Sequence, residues 1–123
     1  MQNILLVEDD EQLRAMLKRL LVKSGYQVWE AENGQGVADV YQQNEIDLVI
    51  TDLLMPDKEG LEVIRDIRRQ DPGARIIAMS GGGKGAAATY LLVAEKLGAS
   101  YTLSKPFNNG KFLEAVRQAL EMT

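Results

Sequence analysis

The sequence predicts an α/β fold, a five-stranded parallel sheet with helices packed on both of its faces. Two observations predict it. Five short strand-like runs alternate along the chain with five stripes of helical period, and that alternation builds parallel sheets. Most of these runs are also continuously apolar, as strands covered on both sides must be. Size and composition agree. A chain of 123 residues suits one domain, assigned to residues 1–123, and 46% apolar with 26% charged residues is a globular mixture.

Each element follows from its residues. Ile4-Leu5-Leu6-Val7 is the first strand. Leu13, Met16, Leu17, Leu20 and Leu21 then repeat at i, i+3, i+4, i+7 and i+8, one stripe of an amphipathic helix, and Gly25 suits its left-handed cap. Gln27–Ala31 is a second, more polar strand, expected near a sheet edge. Asn33-Gly34 leads into a short helix bearing Val37, Val40 and Tyr41. Residues 47–51 form the third strand, and Leu61, Ile64 and Ile67 mark a third helix closed by Asp71-Pro72-Gly73. Residues 75–79 form the fourth strand. Leu91, Ala94 and Leu97 mark a fourth helix stopped by Gly98. The run Gly81-Gly82-Gly83-Lys84-Gly85 precedes it. Each glycine costs a helix about 1 kcal/mol relative to Ala, so a mobile loop and a late-starting, short fourth helix are expected. Residues 100–104 form the fifth strand. Phe112, Val116, Ala119 and Leu120 are the last helical stripe, with Asn108 as its N-cap. Right-handed crossovers then favour the flavodoxin-like doubly wound (βα)5 order, 2-1-3-4-5, with a ligand crevice between the first and third strands.

Composition excludes several functions. With no cysteine and no histidine, the chain has no disulfide framework, no thiolate or imidazole metal site and no histidine-based catalysis. A net charge of −4 and the lack of a basic face argue against nucleic acid as a partner. The apolar run at residues 4–7 is too short for a signal peptide or a membrane span, so a cytoplasmic protein without membrane contact is expected.

The chemistry collects at the carboxyl ends of the strands. Glu8, Asp9 and Asp10 follow the first strand, Asp52 the third, Ser80 the fourth, and Lys105 with Pro106 the fifth. Ligands of open α/β sheets bind outside those ends. Two carboxylates about 5 Å apart repel by roughly 3 kcal/mol at an effective dielectric near 20, so three of them call for a cation. Oxygen-only ligands suit Mg²⁺. A metal-flanked carboxylate can attack a phosphoryl group while a lysine neutralises the oxygens in transfer. Plainer readings exist for each residue. The acidic triplet can be a helix start, Asp52 a strand terminator, Lys105 a surface residue and Ser80 a turn residue. Tyr101, Trp29 and Phe107 read as packing residues. The Gly81 to Gly85 run is no Walker A loop, because Ala78 replaces its first glycine and Gly85 follows Lys84.

The chain resembles a response-regulator receiver domain of two-component signalling, of the stand-alone chemotaxis type, over essentially its whole length. The resemblance rests on Val7-Glu8-Asp9-Asp10, on residues 47–52 running into Met55-Pro56 and Gly60, on Ser80, and on Lys105-Pro106-Phe107. It implies a Mg²⁺-dependent phosphoacceptor, not an enzyme beyond self-phosphorylation from small donors and self-dephosphorylation. Asp52 is then the phosphorylated residue. Glu8, Asp9, Asp52 and the backbone carbonyl of Leu54 hold the metal, while Asp10 serves as a helix N-cap. Ser80 and Lys105 contact the phosphoryl group, and the bond to Pro106 is cis. Ser80 and residue 102 form the switch, where Thr102 stands in place of the usual aromatic and Tyr101 faces the other way. A histidine kinase or phosphotransfer protein is the implied donor. The fourth helix, fifth strand and fifth helix are the implied contact surface for a downstream protein, with a homodimer on phosphorylation as a further option. Two alternatives stay open: a Mg²⁺-dependent aspartate-nucleophile phosphatase of the haloacid dehalogenase type, and a non-phosphorylated binding module. The chain is compatible with a free-standing receiver or with the N-terminal domain of a longer protein.

Overall fold

The structure, a computed structural model, describes residues 1–53, 60–81 and 84–121, with the backbone alone described for residues 84–90. The element order is β1 Asn3–Val7, α1 Glu11–Lys23, β2 Gln27–Ala31, α2 Val37–Gln43, β3 Leu48–Asp52, α3 Gly60–Gln70, β4 Ile76–Ser80, α4 Lys84–Leu97, β5 Tyr101–Ser104 and α5 Asn109–Glu121. The strands form one sheet in the order β2-β1-β3-β4-β5, every neighbouring pair parallel. This is the winding the sequence predicts. Polar β2 lies at an edge, while every residue of β3 and β4 is buried.

Alternation along the strands divides the core in two. On one face Ile4, Leu6, Ile50, Ile77 and Met79 pack with Leu17 and Leu21 of α1 and with Phe112, Val116 and Ala119 of α5. On the other, Leu5, Val7, Val49, Ile76 and Ala78 pack with Val37 of α2, Val63, Ile64 and Ile67 of α3 and Ala94 of α4. The predicted stripes thus face the sheet. Met16 is the partial exception, since it is 36% exposed. Trp29 is also exposed in part, at the free edge of the sheet, rather than packed as expected.

The predicted caps form. The Asp10 carboxylate accepts the Leu13 N–H at 3.0 Å, the Asn108 side chain accepts the Lys111 N–H at 2.7 Å, and Gly25 takes φ 96° after α1. The fourth helix departs from expectation. It is neither short nor late, since α4 starts at Lys84 and runs 14 residues. Gly85 is its one glycine, and Ala86, Ala87 and Ala88 follow with the best helix propensity of any residue. Of the predicted mobile loop over Gly81 to Gly85, Lys84 and Gly85 belong instead to α4, and Gly82 and Gly83 lie outside the described residues. The far end of α4 is fastened by Arg68 of α3, whose guanidinium donates to the Pro72 carbonyl at 2.6 Å and also to the Gly98 carbonyl.

A second tie joins α2 to the turn after α3, where the Tyr41 hydroxyl donates to the Asp71 carboxylate at 2.6 Å. Burial and the neighbouring carboxylate push the Tyr41 phenol well above its usual range, so it stays a donor across neutral pH. Tyr41→Phe should cost about 1–2 kcal/mol, as a hydrogen bond to a charged group does. Urea unfolding monitored by Trp29 fluorescence gives the number.

Candidate functional site

Three strand ends supply the side chains. After β1 the Glu8 N–H still donates to the Ala31 carbonyl at 3.0 Å, which prolongs the ladder with β2 by one bond. Because Asp10 already caps α1, the chain turns within three residues. Glu8 is turned inward and is fully buried. Its Oε2 accepts the Asp10 N–H at 3.1 Å and its Oε1 accepts Lys105 Nζ at 2.8 Å. Asp52 is the last residue of β3 and is 5% exposed. Its Oδ1 accepts the Leu53 N–H at 3.0 Å and lies 3.5 Å from Lys105 Nζ. Carboxylate oxygens of Glu8, Asp9 and Asp52 all lie within 4.8 Å of one another, with Asp9 open to solvent. Ser80, the last residue of β4, is buried, and its hydroxyl has no hydrogen-bond partner among the described residues. Its carbonyl accepts the Lys105 N–H at 2.8 Å, and the Lys105–Pro106 peptide is cis.

Burial dominates the electrostatics. It raises the Glu8 carboxyl above its usual range; the Lys105 hydrogen bond opposes this and the Asp52 charge adds to it. Asp52 is likewise raised by burial, with Lys105 opposing and Asp9 reinforcing. For Lys105 burial works against the ammonium, but the bond to Glu8 and the charges of Asp52 and Glu8 outweigh it and hold the group above its usual value. Among the described residues, one ammonium, that of Lys105, pairs with Glu8 and Asp52, while Asp9 adds a third carboxylate to the group. Such an under-compensated cluster of hard oxygen donors, two buried and one open to water, fits Mg²⁺, which keeps several waters and takes one or two carboxylates.

The structure thus gathers Glu8, Asp9, Asp52 and Lys105 in one pocket and joins Ser80 to it through the backbone. Leu54, together with Met55 and Pro56, lies outside the described residues. Thr102 stands on β5 opposite Ala78, two residues before the Ser80 partner Ser104. Tyr101 packs on the α1 and α5 side of the sheet, so Thr102 projects to the other side, as strand alternation requires.

Three residues gain a role that the sequence alone left unassigned. A Cβ on Gly60 would lie 2.7 Å from the Leu53 Cα and closer still to the Asp52 carbonyl, so only glycine lets α3 start against the end of β3. A Cβ on Gly81 would meet the Lys105 Cβ at 2.9 Å, so this glycine leaves room for the lysine stem. Arg14 of α1 donates from Nη1 to the Glu8 carbonyl at 2.8 Å. Its spacing of four from Asp10 was the available signal, since it puts Arg14 one turn into the helix that the acidic turn begins.

The response regulator receiver domain family matches residues 4–117. The chemotaxis protein CheY of Bacillus subtilis is 36% identical over 118 residues, covering 95% of this chain and 96% of CheY. A response regulator receiver domain protein from Clostridium thermocellum superposes with a TM-score of 0.89 at 28% identity, covering 98% of this chain and 94% of the other. The response regulator TrrA of Thermotoga maritima, solved in complex with Mg²⁺–BeF, gives 0.84 at 31% identity, covering 97% and 99%. A likeness that runs through the whole sheet, and not through one motif, makes this chain a member of the response regulator receiver domain family.

Proposed function

We propose that residues 1–123 act as one receiver unit that accepts a phosphoryl group on Asp52 from a histidine kinase or phosphotransfer protein, with Mg²⁺ in the acidic pocket, and signals to a protein partner. The observation that carries this reading is the convergence of Asp52 with Glu8, Asp9 and Lys105. An Asp52 carboxylate oxygen attacks phosphorus, the bond from phosphorus to the donor breaks, and the donor keeps that electron pair. The donor imidazole must come from the partner, since this chain has no histidine. Lys105 Nζ, already 3.5 Å from Asp52, neutralises charge on the phosphoryl oxygens, and the Ser80 hydroxyl, without a partner among the described residues, is a donor in reserve for one of them. Glu8, Asp9 and Asp52 would hold the ion, and the Leu54 carbonyl, outside the described residues, is the further ligand the resemblance implies. Bound there, Mg²⁺ supplies further positive charge to the phosphoryl oxygens.

The protein is then a phosphoacceptor and not a turnover enzyme. Its downstream contact surface is assigned to α4, β5 and α5, with Ser80 and Thr102 as the switch. Exposed Leu92 and Val93 on α4 supply apolar contact area there. A cytoplasmic location fits this role, and among the described residues no helix is long and apolar enough to cross a membrane.

The test is mass spectrometry after incubation with acetyl phosphate. With Mg²⁺ the protein should gain about 80 Da on the peptide carrying Asp52, and with EDTA it should gain nothing. An adduct on another residue, or one formed equally well without metal, would overturn the proposal.

A further inference from the structure

We propose that Arg14 is a positioning residue for the acidic pocket, acting through Glu8 and braced by Glu30 on the edge strand. The inference rests on the Mg²⁺ reading above and adds to it the device that aims one of its ligands.

Glu8 is held from two directions. Its side chain is held inside the pocket, by the Asp10 N–H and by Lys105 Nζ. Its main chain is held outside the pocket, where its N–H donates to the Ala31 carbonyl and its carbonyl accepts Arg14 Nη1 at 2.8 Å. The first pair of bonds uses the oxygens that a bound cation would claim. The second pair does not, so it fixes where the carboxylate stands whatever that carboxylate binds.

Arg14 is itself pinned. Its Nε donates to Glu30 Oε1 at 3.3 Å, while Lys18 Nζ holds Glu30 Oε2 at 3.0 Å. The Arg14 side chain is only 16% exposed, against 44% for Lys18, so its bonds are less screened by water than an ordinary surface pair. Glu30 sits opposite Leu6 in β2, one residue before Ala31, the acceptor of the Glu8 N–H. One main-chain anchor of Glu8 is therefore a β2 residue, Ala31, and the other, Arg14 of α1, is braced by the β2 residue next to it, Glu30. A guanidinium suits this place because its rigid fork reaches the carbonyl and the carboxylate together, which a single ammonium does not do.

Residues that orient a metal ligand typically change affinity by about 10-fold to 100-fold when removed. Arg14→Met should weaken Mg²⁺ binding about 10-fold by isothermal titration calorimetry, with Arg14→Lys recovering part of the loss. Glu30→Gln, which leaves the Arg14 contact to Glu8 in place, should weaken binding less than Arg14→Met. Tyr41→Phe is the control. It removes a hydrogen bond remote from the pocket and should bind Mg²⁺ like the wild type, so general loss of stability does not imitate the effect. Thermal unfolding in EDTA separates the two roles, because a merely structural arginine would lower the melting temperature and leave Mg²⁺ affinity unchanged. Arg14→Met binding within about twofold of a Mg²⁺-binding wild type overturns this inference alone. If Arg14→Met does not fold, Arg14→Lys and Glu30→Gln both binding like the wild type overturn it equally. A wild type that binds no Mg²⁺ overturns the metal reading and this inference with it.

Discussion

Asp52→Asn should have two effects of opposite sign. Phosphoryl acceptance is lost, because an amide is not a nucleophile toward phosphorus, and no 80 Da adduct should form. Metal-free stability should rise, on the order of 1 kcal/mol, a few degrees in melting temperature. The gain follows from the raised carboxyl. Burial, reinforced by Asp9, holds Asp52 above its ordinary value of 3.8, despite Lys105. A carboxyl raised in the folded state contributes stability that is fully present below the unfolded value and is lost as pH rises through the folded one. The wild type therefore loses this contribution from about pH 4 upward, whereas asparagine does not titrate. The stability gap between the two should open as pH rises above the ordinary carboxylate value and level off once Asp52 is ionised in the folded protein. Urea titrations in EDTA at several pH values measure it. Millimolar Mg²⁺ should then close the gap, because it binds the folded wild type and stabilises it by mass action. A variant less stable than the wild type in EDTA at pH 7 would refute the electrostatic account.

Gly60→Ala should be the most damaging glycine-to-alanine change among the described glycines. Its methyl would sit 2.7 Å from the Leu53 Cα and within touching distance of the Asp52 carbonyl, both of them backbone. Backbone has no alternative rotamer, and Leu53 is itself held, its N–H donating to the Met79 carbonyl at 2.9 Å and its carbonyl accepting the Gly60 N–H at 3.0 Å. The strand end must move as a unit. We expect a loss of about 3 kcal/mol from overpacking. We also expect a fall in phosphoryl acceptance on the order of 100-fold, since displacement of a reacting group by about 1 Å has that effect. The two readouts check each other. Near-normal labelling in a destabilised Gly60→Ala protein would mean that the junction supports the fold without aiming Asp52.

Much of this was legible in the sequence, for identifiable reasons. Continuous apolar runs leave strands no solvated face, so the burial of β1, β3 and β4 followed from Ile4 to Val7, Leu48 to Ile50 and Ile76 to Met79. The winding rule then lined up the ends of β1, β3, β4 and β5 along one edge of the sheet, with β4 between β3 and β5, and the Lys105 side chain reaches past β4 to Glu8 and Asp52. Local propensity misled once. Weighing the glycines before α4 and not the alanines inside it gave too short a helix. What stayed hidden was contact across the fold. Gly60 carried the family resemblance, but its steric reason needs the carbonyl of Asp52 in place. The spacing of Arg14 from Asp10 put it in the first turns of α1, but its brace becomes visible only when β2 brings Glu30 beside it.

The bond between Lys105 and Glu8 spans 97 positions of sequence. During synthesis the first four strands leave the ribosome well before the lysine does, and chains fold roughly in that order. Until then the acid cluster lacks its ammonium, and its repulsion opposes closure of the pocket. A chain arrested or clipped before β5 would be a poor acceptor however native its earlier strands became. On the phosphoacceptor reading proposed above, completing the pocket's charge balance is therefore coupled to completing the sheet, because the ammonium arrives only with the last strand.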